Sequence, residues 1–236
     1  MIVRVCERAL AARNVSRVLV ATDDERIRDA VRAAGYEAMM TRAEHLSGSD
    51  RLAEAALALD AGVDLIVNVQ GDEPQISPRA IERAVAALQD DTEAACATTC
   101  EAVGGAGDVL SPDVVKVVSD GQGRALYFSR SPIPYPREAV RRFGSLAAAL
   151  EIEPALLADF RKHTGLYVYR RAFLLEYARW PQSALERAES LEQLRMLEHG
   201  AKIRVVETEE KSTGVDTPAD LERVRAMFVA EELKER

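Results

Sequence analysis

The run Asp64-Leu-Ile-Val-Asn-Val69 passes without interruption into Gln70-Gly-Asp-Glu-Pro74, and this junction most restricts what the chain can become. A near-continuous apolar run of strand length suits a strand covered on both faces, as in α/β sheets flanked by helices. In open α/β sheets ligands bind beyond the carboxyl ends of strands, so Asp72 and Glu73 are delivered to the functional edge. The same string also suits a polar turn leading into a helix.

The flanking chain alternates in the same way. Arg17–Thr22 reads as a strand, Asp24–Ala34 as a helix, Glu37–Thr41 as a short strand and Asp50–Leu59 as a helix. Ser77 and Pro78 form a cap and first-turn proline for a helix with the apolar face Ile81, Val85 and Leu88. Strands are expected at Glu93–Val103, Val114–Ser119, Arg124–Arg130, His163–Tyr169 and Lys202–Glu207. Helices are expected at Arg171–Arg179 and Ser190–Glu198, and from Thr217, Pro218 and Asp220 to the end. The proline- and arginine-rich stretch Ser129–Arg142 reads as a loop. The pattern predicts an α/β fold: one domain over 1–236 with a mixed, mostly parallel sheet and an antiparallel excursion.

Charge narrows the partners. With 31 basic and 39 acidic residues the net charge is −8, a poor electrostatic match to a polyphosphate backbone, which argues against nucleic acid. Any phosphate handled here calls for a divalent metal. No apolar run approaches the roughly 20 residues of a membrane span, and no signal peptide opens the chain, so a cytoplasmic enzyme is expected. Cys6, Cys96 and Cys100 are too few for a disulfide framework; alternation puts Cys96 and Cys100 on one strand face as small hydrophobes.

Three further segments carry candidate chemistry. Gly214-Val-Asp-Thr-Pro218 sets Asp216 just before a capped helix, where it either favours the helix dipole or joins Asp72 around a shared hard cation such as magnesium. Ser47-Gly-Ser-Asp-Arg51 precedes a helix, with Ser49 as its expected cap; backbone amides there suit an anion, and Arg51 a base or phosphate. His163 and Tyr167 share a strand face and are either pocket residues or satisfied core residues. No glycine-bracketed serine points to a hydrolytic nucleophile.

Eight strings, in order, carry a resemblance: ATDDERI (21–27), SGSDRLAE (47–54), NVQGDEP (68–74), SPDVVKVV (111–118), ALYFSRSPIPYPR (125–137), HTGLYVYR (163–170), ESLEQLRMLEHG (189–200) and GVDTPADLE (214–222). Together they resemble the 3-deoxy-manno-octulosonate (KDO) cytidylyltransferase family over essentially the whole chain. The resemblance implies a nucleotidyltransferase-type, Rossmann-like domain with an insert, about 120–162 here, that helps form a homodimer. It implies transfer of CMP from CTP to the sugar acid, with release of pyrophosphate, for lipopolysaccharide biosynthesis. Asp72 and Asp216 would hold Mg2+ and serve as the catalytic carboxylates. Ser47, Gly48 and Arg51 would hold the cytidine, and Gln70, Arg130, His163, Tyr167, Glu192 and Gln193 the sugar acid, with Arg130 pairing with its carboxylate.

One departure bears on activity. Family members begin with a strand and a loop of the type R-x-x-S-x-R-x-x-G-K-P that holds the triphosphate, whereas this chain starts at the helix that loop should feed, with Met1, Ile2, Val5, Cys6, Ala9 and Leu10 at helical spacing. The expectation is a longer natural protein, and poor stability or weak activity for the chain as written. Two alternatives stand beside the main reading: a cytidylyltransferase for another sugar acid such as a sialic acid, and a truncated, non-catalytic relative that keeps a dimer surface.

Overall fold

In the computed structural model of this protein, which describes residues 1–45, 47–210, 214–215 and 217–234, the chain wraps helices around both faces of a sheet. Helix α1 (Ile2–Leu10) leads to β1 (Leu19–Thr22), α2 (Glu25–Ala33), β2 (Glu37–Met40), α3 (Gly48–Leu57), β3 (Leu65–Asn68) and α4 (Pro78–Asp90). Then follow β4 (Cys96–Ala102), α5 (Ala106–Leu110), β5 (Lys116–Ser119), β6 (Ala125–Ser129), α6 (Arg137–Phe143), α7 (Leu146–Ile152) and a 3-10 turn at Pro154–Asp159. The long β7 (Arg161–Arg170), α8 (Arg171–Tyr177), α9 (Ala184–Glu189), α10 (Gln193–Glu198), β8 (Ile203–Glu207) and α11 (Pro218–Lys234) complete it.

The centre is β7. It pairs with β4 along one edge, while β3 and β5 pair with its two halves, and β8 and β6 lie outside β4 and β5. Side chains alternate between the faces as a pleated strand requires. Tyr167 and Tyr169 enter one core with Cys96, Cys100, Phe128, Leu174, Tyr177 and Leu194, whereas Leu166 and Val168 enter the other with Ala97 and α4. Helix α4 earns its place through Ile81, Ala84, Val85 and Leu88, a stripe at helical spacing that is fully covered. Burial of each large member contributes about 1.5–3 kcal/mol.

The fold class stands as a mixed α/β sheet, but the expectation of mostly parallel pairing needs correcting. Strands β3, β4, β5 and β8 do share one direction; β7 runs against them from the middle, so only β4–β8 is a parallel pair within this sheet. Strands β1 and β2 form a separate two-stranded parallel sheet.

Two local readings are also corrected. Part of the Ser129–Arg142 stretch is helical: the last proline, Pro136, is the N-cap of α6, and Gly144 ends that helix in the left-handed region at φ 86°. The helix expected over Ser190–Glu198 starts later, because Ser190 has φ 53° and separates α9 from α10. The Arg130 guanidinium holds the carbonyls of Glu189 (2.7 Å) and Ser190 (3.4 Å), a tertiary attachment that favours the corner over a continuous helix.

Candidate active site

The loop after β3 delivers Asp72, half-buried, past the carboxyl end of the strand, and the Val215 amide donates to the Asp72 carbonyl at 2.9 Å. The chain segment next to Asp216 therefore meets the Asp72 loop; Asp216 itself lies outside the described residues. Among the described residues no cationic side chain pairs with the Asp72 carboxylate, and none form a metal-holding cluster of three or more His, Cys, Asp or Glu. A half-buried carboxylate without a protein cation, beside a strand end, fits a hard divalent ion whose other positions go to water and phosphate oxygens.

Two residues earlier, Gln70 crosses β7 at Gly165: a Cβ on that glycine would lie 3.6 Å from Gln70 Cγ. Gly165 lies within the irregular part of the β4–β7 ladder, where the partner of Thr98 is Tyr167 but that of Thr99 is Thr164. Here His163 Nε2 meets Thr98 Oγ1 at 2.9 Å, while that hydroxyl donates to the Leu166 carbonyl at 2.8 Å. A hydroxyl has one proton, so Nε2 is the donor and Nδ1 is the ring's acceptor. Burial pushes the imidazole down to about 3, so the ring is neutral.

The predicted neighbourhood of His163 and Tyr167 exists: their ring centroids are 5.4 Å apart. Tyr167 then stacks on Tyr169 at 5.6 Å, and Tyr169 on Tyr177 at 6.5 Å. Among the described residues the buried Tyr167 hydroxyl has no hydrogen-bond partner of good geometry, and burial holds it protonated well above the usual phenol range. A buried donor left unpaired is costly, which marks it as a group awaiting an acceptor.

Tyr177 carries this aromatic row to the other candidate residues by donating to the Glu192 carbonyl at 2.9 Å. Glu192 is half-buried at the start of α10, Gln193 is buried next to it, and Ser49 Oγ donates to Glu192 Oε2 at 2.6 Å. Helix α3 begins at Gly48 with Ser47, not Ser49, as its cap: Ser47 Oγ accepts the Asp50 amide at 3.1 Å. The first amides of such a helix lack intrahelical acceptors and point towards an anion. Arg51, a turn further on, bonds Thr41 Oγ1 at 2.5 Å and Asp23 Oδ2 at 3.2 Å, so it ties the ends of β1 and β2 to α3.

Arg130 is held by the protein's own backbone and by Glu189. Its guanidinium donates to the carbonyls of Glu189, Pro112 and Ser190, and its amide to Glu189 Oε2. Its own carbonyl accepts from Lys116, a fully buried amine that also bonds the carbonyls of Ser111 and Val114. Arg130 thus braces the corner before Glu192. Sequence reasoning missed the roles of Thr98, Tyr177 and Glu189 and the Ser49–Glu192 link; the SGSDR string around Ser49 and the ESLEQ string from Glu189 gave the signal.

A sheet with a carboxylate beyond a strand end, a capped helix start and a polar, aromatic-lined corner fits a nucleotidyl-transferring class of α/β protein. A family model described as cytidylyltransferase matches residues 1–203, and the chain belongs to that family. Within it, the chain is similar to the 3-deoxy-manno-octulosonate cytidylyltransferase of Syntrophotalea carbinolica, at 52% identity over 96% of this chain and 87% of that protein. The namesake from Geotalea daltonii is 50% identical over 100% of this chain and 88% of its own. A solved structure of CMP:2-keto-3-deoxy-manno-octonic acid synthetase complexed with CTP matches with TM-score 0.85 and 45% identity, covering 98% of this chain and 88% of that one. A 4-diphosphocytidyl-2C-methyl-D-erythritol synthase from Anaerococcus prevotii, at TM-score 0.60 and 11% identity over 96% of this chain and 85% of that one, shares the fold. Among the described residues no helix is long and apolar enough to cross a membrane.

Proposed function

We propose that this chain transfers CMP from CTP to KDO, giving CMP-KDO and pyrophosphate for lipopolysaccharide biosynthesis. The observation that supports this reading best is continuity. The Asp72 loop, Gln70 over Gly165, the His163–Tyr167–Tyr169–Tyr177 row, Glu192 and the start of α3 follow one another through direct contacts.

In this reading Ser47 and the backbone of Gly48 face the nucleotide, and Arg51 keeps the loops around it in register. Gln70, His163, Tyr167, Glu192 and Gln193 surround the sugar acid. The unpaired Tyr167 hydroxyl supplies a donor, His163 Nδ1 an acceptor, and Glu192 a charged acceptor for sugar hydroxyls. Arg130 reaches the sugar carboxylate by exchanging carbonyl partners for a forked, charge-assisted pair. The anomeric hydroxyl attacks the α-phosphorus of CTP and gives up its proton to solvent; the new P–O bond forms as the bond to pyrophosphate breaks, without a covalent enzyme intermediate. Asp72, with Asp216 as its expected partner, would hold Mg2+, which supplies neutralisation of phosphate charge and alignment of the attacking oxygen.

The same reading includes a homodimer in the cytoplasm, where CTP is available. Edge strand β6 exposes Leu126, and Tyr135 and Ile152 in the 120–162 region are exposed as well, an apolar supply consistent with a second copy. The test is purified protein with CTP, KDO and Mg2+. CMP-KDO and equimolar pyrophosphate are expected. Absence of both, or equal turnover of a sialic acid, overturns the assignment.

A further inference from the structure

The structure assigns to Ser49 a positioning role: its hydroxyl fixes the Glu192 carboxylate, so that the helix start facing the nucleotide also sets the geometry of the sugar-acid pocket. This rests on the proposed function.

Ser49 is 4% exposed and is the second residue of α3. Its side chain donates to Glu192 Oε2 at 2.6 Å. That bond joins positions 143 residues apart in sequence. It is charge-assisted, the stronger kind of hydrogen bond, and it leaves Glu192 Oε1 without a partner among the described residues. The Glu192 backbone is held by a second bond, from the Tyr177 hydroxyl to its carbonyl at 2.9 Å. Ser49 therefore controls the orientation of the side chain rather than the position of the residue. With Oε2 anchored, Oε1 is the oxygen presented to a sugar hydroxyl; without the anchor the carboxylate rotates about its own bonds, and the pocket loses a preorganised acceptor.

Steady-state kinetics of Ser49→Ala and Ser49→Thr, varying each substrate in turn, test the assignment. Ser49→Ala is expected to raise KM for KDO about tenfold, the scale of one hydrogen bond to a charged group, with KM for CTP and kcat within about twofold. Ser49→Thr keeps the hydroxyl and is expected to restore KM for KDO. An unchanged KM for KDO in Ser49→Ala overturns the positioning role. So does an equal rise in both KM values that threonine fails to rescue, the mark of a general packing defect. Wild-type protein that makes no CMP-KDO removes the functional reading and this assignment together, whereas an active wild type with an indifferent Ser49→Ala removes this assignment alone.

Discussion

The Val215 amide and the Asp72 carbonyl are joined by a 2.9 Å hydrogen bond between segments separated by more than half the chain. The bond uses backbone groups only, so it survives substitution of the Asp72 side chain. Asp72→Asn keeps the loop and removes one charge. The expected outcome is a fall in kcat of at least about a hundredfold, since metal-assisted charge neutralisation contributes several kcal/mol at the transition state. Magnesium titrations of turnover in the two proteins check it, and undiminished, metal-dependent activity in the variant discards Asp72 as a ligand.

His163 makes folding stability pH-dependent. Its folded value is depressed to about 3 from the ordinary 6.5, so between those limits the unfolded chain binds the proton and the folded chain does not. Stability is therefore full above pH 6.5 and declines as pH falls, by about 1.4 kcal/mol per pH unit in the limit. Urea unfolding at pH 6.5 and 5.0 is expected to show about 2 kcal/mol more loss in the wild type than in His163→Gln. Parallel losses in both proteins contradict a neutral, enclosed ring.

The three cysteines are buried, and burial raises all three thiols, Cys100 to about 11. Because the thiolate is the reactive form, native protein at pH 8 is expected to react slowly with a thiol reagent, and unfolded protein to titrate three groups at once. A fast native phase disagrees with this burial.

Arg195 and Glu186 form an ion pair at 3.3 Å with side chains only 6% and 3% exposed, and Glu186 also closes the capping box of α9 with Ser183. Glu186→Gln leaves a buried guanidinium without its countercharge. A destabilisation of about 3–5 kcal/mol is expected from chemical denaturation. The same corner carries Glu192, so KM for KDO is expected to rise as well.

Much of this was legible locally. The caps were readable because they rest on neighbours in sequence: Ser77 accepts the Ala80 amide at 3.3 Å, and Thr217 exchanges bonds with Asp220. The run into Gln70-Gly-Asp72 and the shared face of His163 and Tyr167 were readable because strand period is fixed. Arg130 was not legible in this way. Its residue type suggests a free fork for a carboxylate, but its carbonyl partners come from Pro112, Glu189 and Ser190, positions that only folding brings together. The break at Ser190 has the same origin, since helix period continues through it in the sequence.

By itself the sequence determined the α/β alternation, the helix caps at Ser77 and Thr217, the burial of the thiols and the delivery of Asp72 to a strand end. Each follows from interactions within a few residues or from periodic burial. Only the tertiary structure decided that β7 runs antiparallel through the middle of the sheet, that Arg130 braces a corner and that Ser49 grips Glu192. Those outcomes depend on hydrogen bonds between remote segments, whose partners compete on geometry that residue types do not encode.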